Sequence, residues 1–459
     1  MNNQLFKVWL LSVILLCALF SLYYVPELKV AGYTLKEMDI LHDVKSRKEL
    51  IVTNLQNKQT KDKKSKNPSK KFSGKPVVSN EGLSIPTEPV PIEDFGQETP
   101  AMQAFYDALR NLPESEKSVH MGFMGDSFIE GDILTDKLRD TLQGIFGGSG
   151  VGYVAFANPS TDYRLNILQR TTGFKSTSAV DSGVRKKRFD ISGHLAIPVT
   201  DSNAITYYGA GKIPKCRYFK NITLFYSTPH PSRISFNYQG GKRQTYTLES
   251  GRRLHALALQ ADSARNLSFY SQKDSLLQLF GLNFENGKGL YLDNFSLRGN
   301  AGTALFRTTA DMYQQTDSLL HYKLIVLQYG LNAMSPKISN YDPYKRMLIK
   351  VIQLIKAGFP HSSILVLGVG DRSQRDMGEY VTMETLPKML EAQRAAAEAE
   401  KVAFWNMFEA MGGENSMAQF VNHDPPLANK DYTHINRRGG ILIGRQLAKA
   451  LLLGFNGKD

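Results

Sequence analysis

The sequence predicts an α/β sheet domain interrupted by an inserted β-sandwich and preceded by an N-terminal membrane helix. Three observations carry this. Strand–helix alternation occupies two separated stretches, roughly 115–158 and 295–455. Between them, from about 160 to 295, short alternating strands follow one another with no convincing long helix. Ahead of both, residues 8–25 form an apolar run without a charge. A chain of 459 residues, 42% hydrophobic and 22% charged, has ordinary globular composition and length for more than one core.

The run VWLLSVILLCALFSLYYV at 8–25 is near the lower limit for a spanning helix. It exceeds a usual signal-peptide core and ends in bulky Leu22, Tyr23 and Tyr24, with no small-x-small pair close behind. Those tyrosines suit the interfacial belt, and Lys7 favours an inside N-terminus. The expectation is an anchor over 1–26. Leu16 precedes Cys17 where a lipoprotein signal needs a small residue, so lipidation is not expected.

Residues 27–96 are expected to form a stalk, with a short helical stretch near 36–56. QNKQTKDKKSKNPSKKFSGKP is polar and basic, and SIPTEPVPIEDF continues as an extended, proline-spaced connector. Of the net charge of +13, about half lies in Lys58, Lys61, Lys63, Lys64, Lys66, Lys70, Lys71 and Lys75 against Asp62. Because the excess is concentrated in a linker, no nucleic-acid partner is expected. Cys17 and Cys216 are the only cysteines, one within the apolar run, so no disulfide framework is available. No Cys/His spacing suggests a metal site, and no cofactor is expected.

The first α/β part is assigned to 97–159. AMQAFYDALRNL has the spacing of a short amphipathic helix. SVHMGFMGDS predicts a strand entering a tight turn, and DILTDKLRDTLQGIF a helix closed by Gly147 and Gly148. Segments such as YFKNITLFYS, RISFNYQ, HALALQ and KGLYLDNFSL, separated by turn residues, predict a jelly-roll-like sandwich over 160–295. The second α/β part, 296–459, offers KLIVLQYG and SSILVLGVG as strands. It offers DPYKRMLIKVIQLIKAG, a long helix over 384–411 and GGILIGRQLAKALLLGF as helices.

Four elements carry chemistry. Gly125, Asp126 and Ser127 follow a hydrophobic strand and precede a helix, which presents a hydroxyl near helix N-terminal amides. KDYTHINRRGG supplies Asp431 and His434, spaced so that a carboxylate can reach the imidazole edge opposite a serine. YGLN places Asn332 just past a strand, where its amide could donate to an oxyanion. LRGNAG places Gly299 and Gly302 where a backbone N–H could do the same. Each alone has an ordinary structural explanation: a helix-capping serine, a surface ion pair, a turn.

Taken in order, these elements resemble the SGNH (GDSL-like) hydrolases. The likeness covers roughly 115–158 and 295–455, with Phe128 standing where many members carry leucine. It implies a three-layer sandwich on a parallel sheet, with Ser127 as nucleophile, His434 as base and Asp431 as its partner. It also implies Gly299 (or Gly302) and Asn332 as oxyanion donors. The long interval between Ser127 and Gly299 is similar to that of membrane-anchored peptidoglycan O-acetylesterases, which carry an inserted carbohydrate-binding-like β domain. The implied substrate is an O-acetylated glycan, and the implied place is the periplasmic face of a bacterial inner membrane. Two alternatives stay open: an O-acetyltransferase served by a membrane acyl-export partner, and a non-catalytic glycan-binding protein. Among lesser candidates, Asp371 and Arg372 could border the cleft, His423 and Asp424 could face substrate, and Tyr207, Tyr208 and Tyr238 could stack on sugars.

Overall fold

The computed structural model describes residue 83, residues 85–184, 187–210 and 213–457, and the backbone of Lys29–Val30 and Tyr33–Thr34. The chain divides into two compact units, Met1–Asn80 and Glu81–Asp459. In the first, Lys29–Val30 pairs antiparallel with Tyr33–Thr34. The apolar run at 8–25, the helical stretch near 36–56 and the basic linker lie outside the described residues. Among the described residues no helix is long and apolar enough to cross a membrane.

The second unit is built on a six-stranded sheet. In chain order its elements are β1 (Glu93–Asp94), α1 (Gln103–Arg110), β2 (Val119–Gly125), α2 (Thr135–Phe146) and β3 (Leu290–Ser296). There follow α3 (Ala310–Leu320), β4 (Tyr322–Gln328), α4 (Asp342–Gly358) and β5 (Ser363–Leu367). A small hairpin, β6 (Ser373–Asp376) and β7 (Glu379–Thr382), precedes α5 (Leu386–Ala399), β8 (Ala403–Trp405) and α6 (Arg437–Asn456). The strand order is β3-β2-β4-β5-β8-β1, parallel throughout except for β1.

Every residue of β2 is buried, so both faces of the central sheet are covered. A parallel sheet needs this, because crossover helices occupy its two faces, and it explains unbroken apolar runs such as Leu324–Leu327. The chain adds β3 on one side of β2 and β4 on the other. The order therefore reverses at β2, and the carboxyl ends of β3, β2 and β4 flank a natural binding crevice.

Between α2 and β3 the chain forms two antiparallel sheets. One has the order Gly251–Ala264, Phe219–Thr228, Gln278–Glu285, His194–Pro198, Phe174–Ser178, with Gly152–Ala155 also on Gln278–Glu285. The other runs Gln244–Leu248, Ser232–Tyr238, Asn266–Ser271, Asn203–Gly209, Ile167–Thr172. Leu224, Leu282, Phe284, Ile205, Phe236 and Phe269 belong to one buried cluster, distinct from the core of the parallel sheet.

Four boundaries differ from the sequence expectation. Residues 90–94, placed in the stalk on their prolines, are part of the fold: Trp405 Nε1 donates to Val90 O at 3.0 Å, and β1 pairs with β8. Antiparallel pairing begins at Gly152 rather than 160, hidden by the glycines before it. Leu290–Ser296 alternates like the antiparallel strands but is β3 of the parallel sheet. The long helix over 384–411 is broken. α5 ends at Ala399, Lys401 takes φ +52°, and Ala403–Trp405 becomes a buried strand beside β5. Burial of Phe404 and Trp405 in the sheet overrides the helical propensity of the alanine-rich stretch before them.

Candidate active site

Ser127 stands two residues past the carboxyl end of β2. The turn is tight: a Cβ on Gly125 would meet Gln328 Oε1 at 2.7 Å, and Gly131 adopts φ +64°. Glycine satisfies both needs. Asp126 is fully buried; its Oδ1 accepts the Phe128 N–H at 2.9 Å, and Gln328 Oε1 accepts the Asp126 N–H at 3.3 Å. These bonds fix the backbone on both sides of Ser127.

The Ser127 hydroxyl meets an imidazole. Ser127 Oγ lies 2.9 Å from His434 Nε2, and His434 Nδ1 lies 2.8 Å from Asp431 Oδ2. The other oxygen, Asp431 Oδ1, accepts the backbone N–H groups of Thr433 and His434, each at 3.0 Å. Burial pushes the Asp431 carboxyl up, but those bonds from His434 and Thr433 outweigh it and hold it below its ordinary value. An ionised Asp431 keeps the Nδ1 proton in place and leaves Nε2 free to accept from the serine. His434 and Asp431 retain 34% and 49% side-chain exposure, so water reaches this edge of the site.

Gly299 follows β3 with φ +75° and an exposed backbone. The alternative register is less available: the Gly302 N–H already donates to Asn300 Oδ1 at 2.9 Å. Asn332 follows β4, and its Nδ2 donates to Asp126 Oδ2 at 2.9 Å and to Asn300 O at 3.2 Å. Ser127, Gly299 and Asn332 thus sit past the carboxyl ends of three adjacent strands. Asn332 is also tied through Asp126 and Asn300 to the segments that carry the other two.

Asp126 also reaches the loop of Asn332. Burial pushes its carboxyl up to about 6, against the Phe128 N–H, Gln328, the His434 charge and Asn332. Sequence alone gave no sign of the Asn332 contact, which spans 206 residues. Glu130 is likewise unheralded. It accepts Ser160 Oγ at 3.0 Å and pairs with Arg298 at 3.1 Å, linking the serine loop to the residue before Gly299.

Beside this pair a hollow of ≈ 250 Å³ is lined by Glu130, Ser160, Ser176, Ser178, His194 and Arg298. Ser176 and Ser178 belong to Phe174–Ser178, the edge strand of its sheet, and the Ser178 N–H donates to Asp181 Oδ2 at 2.8 Å. A second hollow, lined by Gly299, Asn300 and Thr303, shares Val180 and Asp181 with the first. The surface from Gly299 to the edge strand is thus a hydroxyl-rich trough.

The lesser candidates divide. Arg372 reaches the loop of Asn332, donating to Leu331 O at 3.0 Å, whereas buried Asp371 faces Met417 N and Thr382 Oγ1. His423 turns to Pro425 O. Tyr207 is core, edge-on to Phe156 and Phe284, and Tyr238 packs against Phe236; Tyr208 lies beneath Arg170.

No family model matches the chain, and no curated protein matches it by sequence. Solved structures do. A peptidoglycan O-acetylesterase is similar with a TM-score of 0.66 at 21% identity, over 79% of this chain and 99% of that one. A family two carbohydrate esterase from Cellvibrio japonicus is similar over 63% of this chain and 98% of that one, with 8% identity and a TM-score of 0.26. A salicylyl-acyltransferase from a tetracycline biosynthetic pathway is similar over 66% and 97%, with 13% identity and a TM-score of 0.30. The first shows that this chain shares the fold of a peptidoglycan O-acetylesterase over nearly the whole length of that protein.

Proposed function

We propose that this chain is a serine esterase that removes O-acetyl groups from a cell-envelope polysaccharide, with peptidoglycan as the substrate. The observation that carries the proposal is the continuous Ser127–His434–Asp431 hydrogen-bond chain, 2.9 Å and 2.8 Å, at the carboxyl end of the sheet. A non-catalytic glycan-binding role would not need that contact. The substrate choice is supported by the serine and threonine hydroxyls that line the trough beside Gly299 and by the fold shared with a peptidoglycan O-acetylesterase.

In this mechanism neutral His434 takes the Ser127 proton as Oγ attacks the acetyl carbonyl carbon. The carbonyl π pair moves to oxygen, and the resulting oxyanion is held by backbone N–H groups of Ser127 and Gly299. Asn332 joins as the third donor by releasing Asn300 O, the longer of its two bonds. Collapse re-forms the carbonyl and breaks the C–O bond to the sugar, whose oxygen takes the proton from His434. Water then attacks the acetyl-serine carbonyl, giving a proton to His434; collapse breaks the bond to Oγ, which takes that proton back from His434, and acetic acid leaves and ionises to acetate.

The polypeptide is placed with residues 8–25 in the bacterial inner membrane and the esterase on its periplasmic face, on the sequence of that run alone. Transfer of acetyl from an export partner to a glycan is the competing outcome. It is tested by following acetate release from O-acetylated peptidoglycan while adding unacetylated glycan. Free acetate that depends on Ser127 and is not diverted supports hydrolysis, and acetyl recovered on the added glycan would reassign the protein as a transferase. Protease accessibility on intact spheroplasts checks the orientation.

A further inference from the structure

We infer that the β6–β7 hairpin with its preceding Arg372 is a clasp that sets Asn332 and the Asp431–His434 loop in register, with Arg372 and Tyr380 as positioning residues. The inference rests on the serine-esterase reading of the site. One short segment grips both halves of that site. On one side, Arg372 Nη1 donates to Leu331 O at 3.0 Å and Met334 O at 3.5 Å, the carbonyls flanking Asn332. On the other, the Ser373 N–H donates to Tyr432 O at 3.0 Å, inside the Asp431–His434 loop. The ring of Tyr380 lies flat on that of Tyr432, with centroids 3.5 Å apart and planes at 7°.

Tyr432 needs that support. It adopts φ +54°, a conformation that disfavours a bulky side chain, and it sits between Asp431 and His434. The carboxylate can accept the backbone N–H groups of Thr433 and His434 together with the ring N–H only while this turn holds. Stacking on Tyr380 and the carbonyl bond to Ser373 fix the turn from outside the loop. The hairpin in turn is anchored at its base. Thr382 Oγ1 donates to buried Asp371 at 2.9 Å, Met417 N donates to the same carboxylate at 2.7 Å, and the Thr382 N–H donates to Asn415 Oδ1 at 3.0 Å. Anchored at its base, the hairpin transmits a fixed spacing between the oxyanion side and the base side of Ser127.

The test compares the purified full chain with Tyr380→Ala, Tyr380→Phe and Arg372→Ala. Each is assayed on p-nitrophenyl acetate and on O-acetylated peptidoglycan, and the low-field proton NMR resonance of His434 Nδ1–H is recorded. Tyr380→Ala is expected to lower kcat about tenfold on both substrates, the scale of a lost aromatic pair, with KM unchanged and the resonance broadened. Tyr380→Phe should restore both readouts, because the ring alone makes the stack. Arg372→Ala, which acts from the other side, should lower kcat similarly while leaving the resonance sharp. Wild-type kcat in Tyr380→Ala and Arg372→Ala would overturn the clasp. So would a rise in KM for peptidoglycan alone, which would make Tyr380 a substrate contact. If the wild-type chain releases acetate from neither ester, the esterase reading fails. The resonance, sharp in wild type and broadened only in Tyr380→Ala, still decides the clasp.

Discussion

Asn332 Nδ2 donates to Asp126 Oδ2 at 2.9 Å, which joins the loop after β4 to the residue immediately before Ser127. A side chain proposed to hold the oxyanion is therefore oriented by a buried carboxylate rather than left to rotate. Replacing Asn332 by Ala should cost about 3 kcal/mol at the transition state, within the range of a single oxyanion donor. Asp126→Ala should cost somewhat less, about 1.5–3 kcal/mol, because it removes an acceptor and leaves the donor present. The comparison to make is kcat on a small acetyl ester; unequal effects in the opposite order would detach Asp126 from Asn332.

The Asp126 carboxyl also has a pH consequence. Its folded value of about 6 lies above the ordinary carboxylate value, chiefly because it is buried. Between those two values the folded protein binds a proton that the unfolded chain does not, so stability falls as pH rises through this window. Asp126→Asn removes that titration. The melting temperature of the variant is expected to change less than that of wild type between pH 4 and pH 6.

A second network lies at the opposite end of β2. His120 Nε2 is 2.9 Å from Glu285 and its Nδ1 is 3.3 Å from Asp293, which also accepts Tyr322 Oη at 2.7 Å. Burial alone would lower the imidazole, but hydrogen bonds to Asp293 and Glu285 outweigh it and raise it to about 10. A raised histidine stabilises the fold fully below its unfolded value and loses that contribution as pH rises through about 10. His120→Gln leaves Asp293 buried without its cation, and should destabilise by about 3–5 kcal/mol near pH 6. Denaturant unfolding at pH 6 and pH 10 would show the gap between variant and wild type narrowing; a gap independent of pH would deny His120 its charge.

Arg298 pairs with Glu130 from a side chain that is 71% exposed, so the pair itself contributes little to stability. Its place beside the trough gives Arg298→Ala a different signature. kcat/KM toward polymeric substrate is expected to fall by about threefold, the scale of an exposed polar contact, with p-nitrophenyl acetate turnover unchanged. Equal losses on both esters would place Arg298 in the chemistry of the serine loop instead.

What could be read from the sequence was the chemistry that sits at local signals. A hydrophobic strand ending in Gly125-Asp126-Ser127 and the three-residue spacing of Asp431 and His434 each carry their geometry within a few residues. Asn332 was read from the strand that precedes it, whereas Gly299, with Gly302 as the other register, came only from the resemblance, because the segment before it reads as part of the β-sandwich. Contacts that depend on packing were not legible: the Asp126–Asn332 bond, the Glu130–Arg298 pair and the Tyr380–Tyr432 stack join residues with no shared local pattern. The alanine-rich run into Phe404 and Trp405 shows the same limit for secondary structure. There, three residues become a strand only because the edge of β5 is open to them. The end of the stalk was misjudged for the related reason that prolines at 86–91 suit a surface connector and an edge segment equally well.

Serine-dependent acetate release is the most direct measurement. The purified chain and its Ser127→Ala variant are incubated with O-acetylated peptidoglycan, with and without an unacetylated glycan acceptor, and free acetate is followed over time. Acetate is expected to appear with wild type at a rate the acceptor does not change, and to fall by several orders of magnitude in the variant. Equal acetate release from both proteins, or none from either, would contradict a serine esterase acting on this polymer.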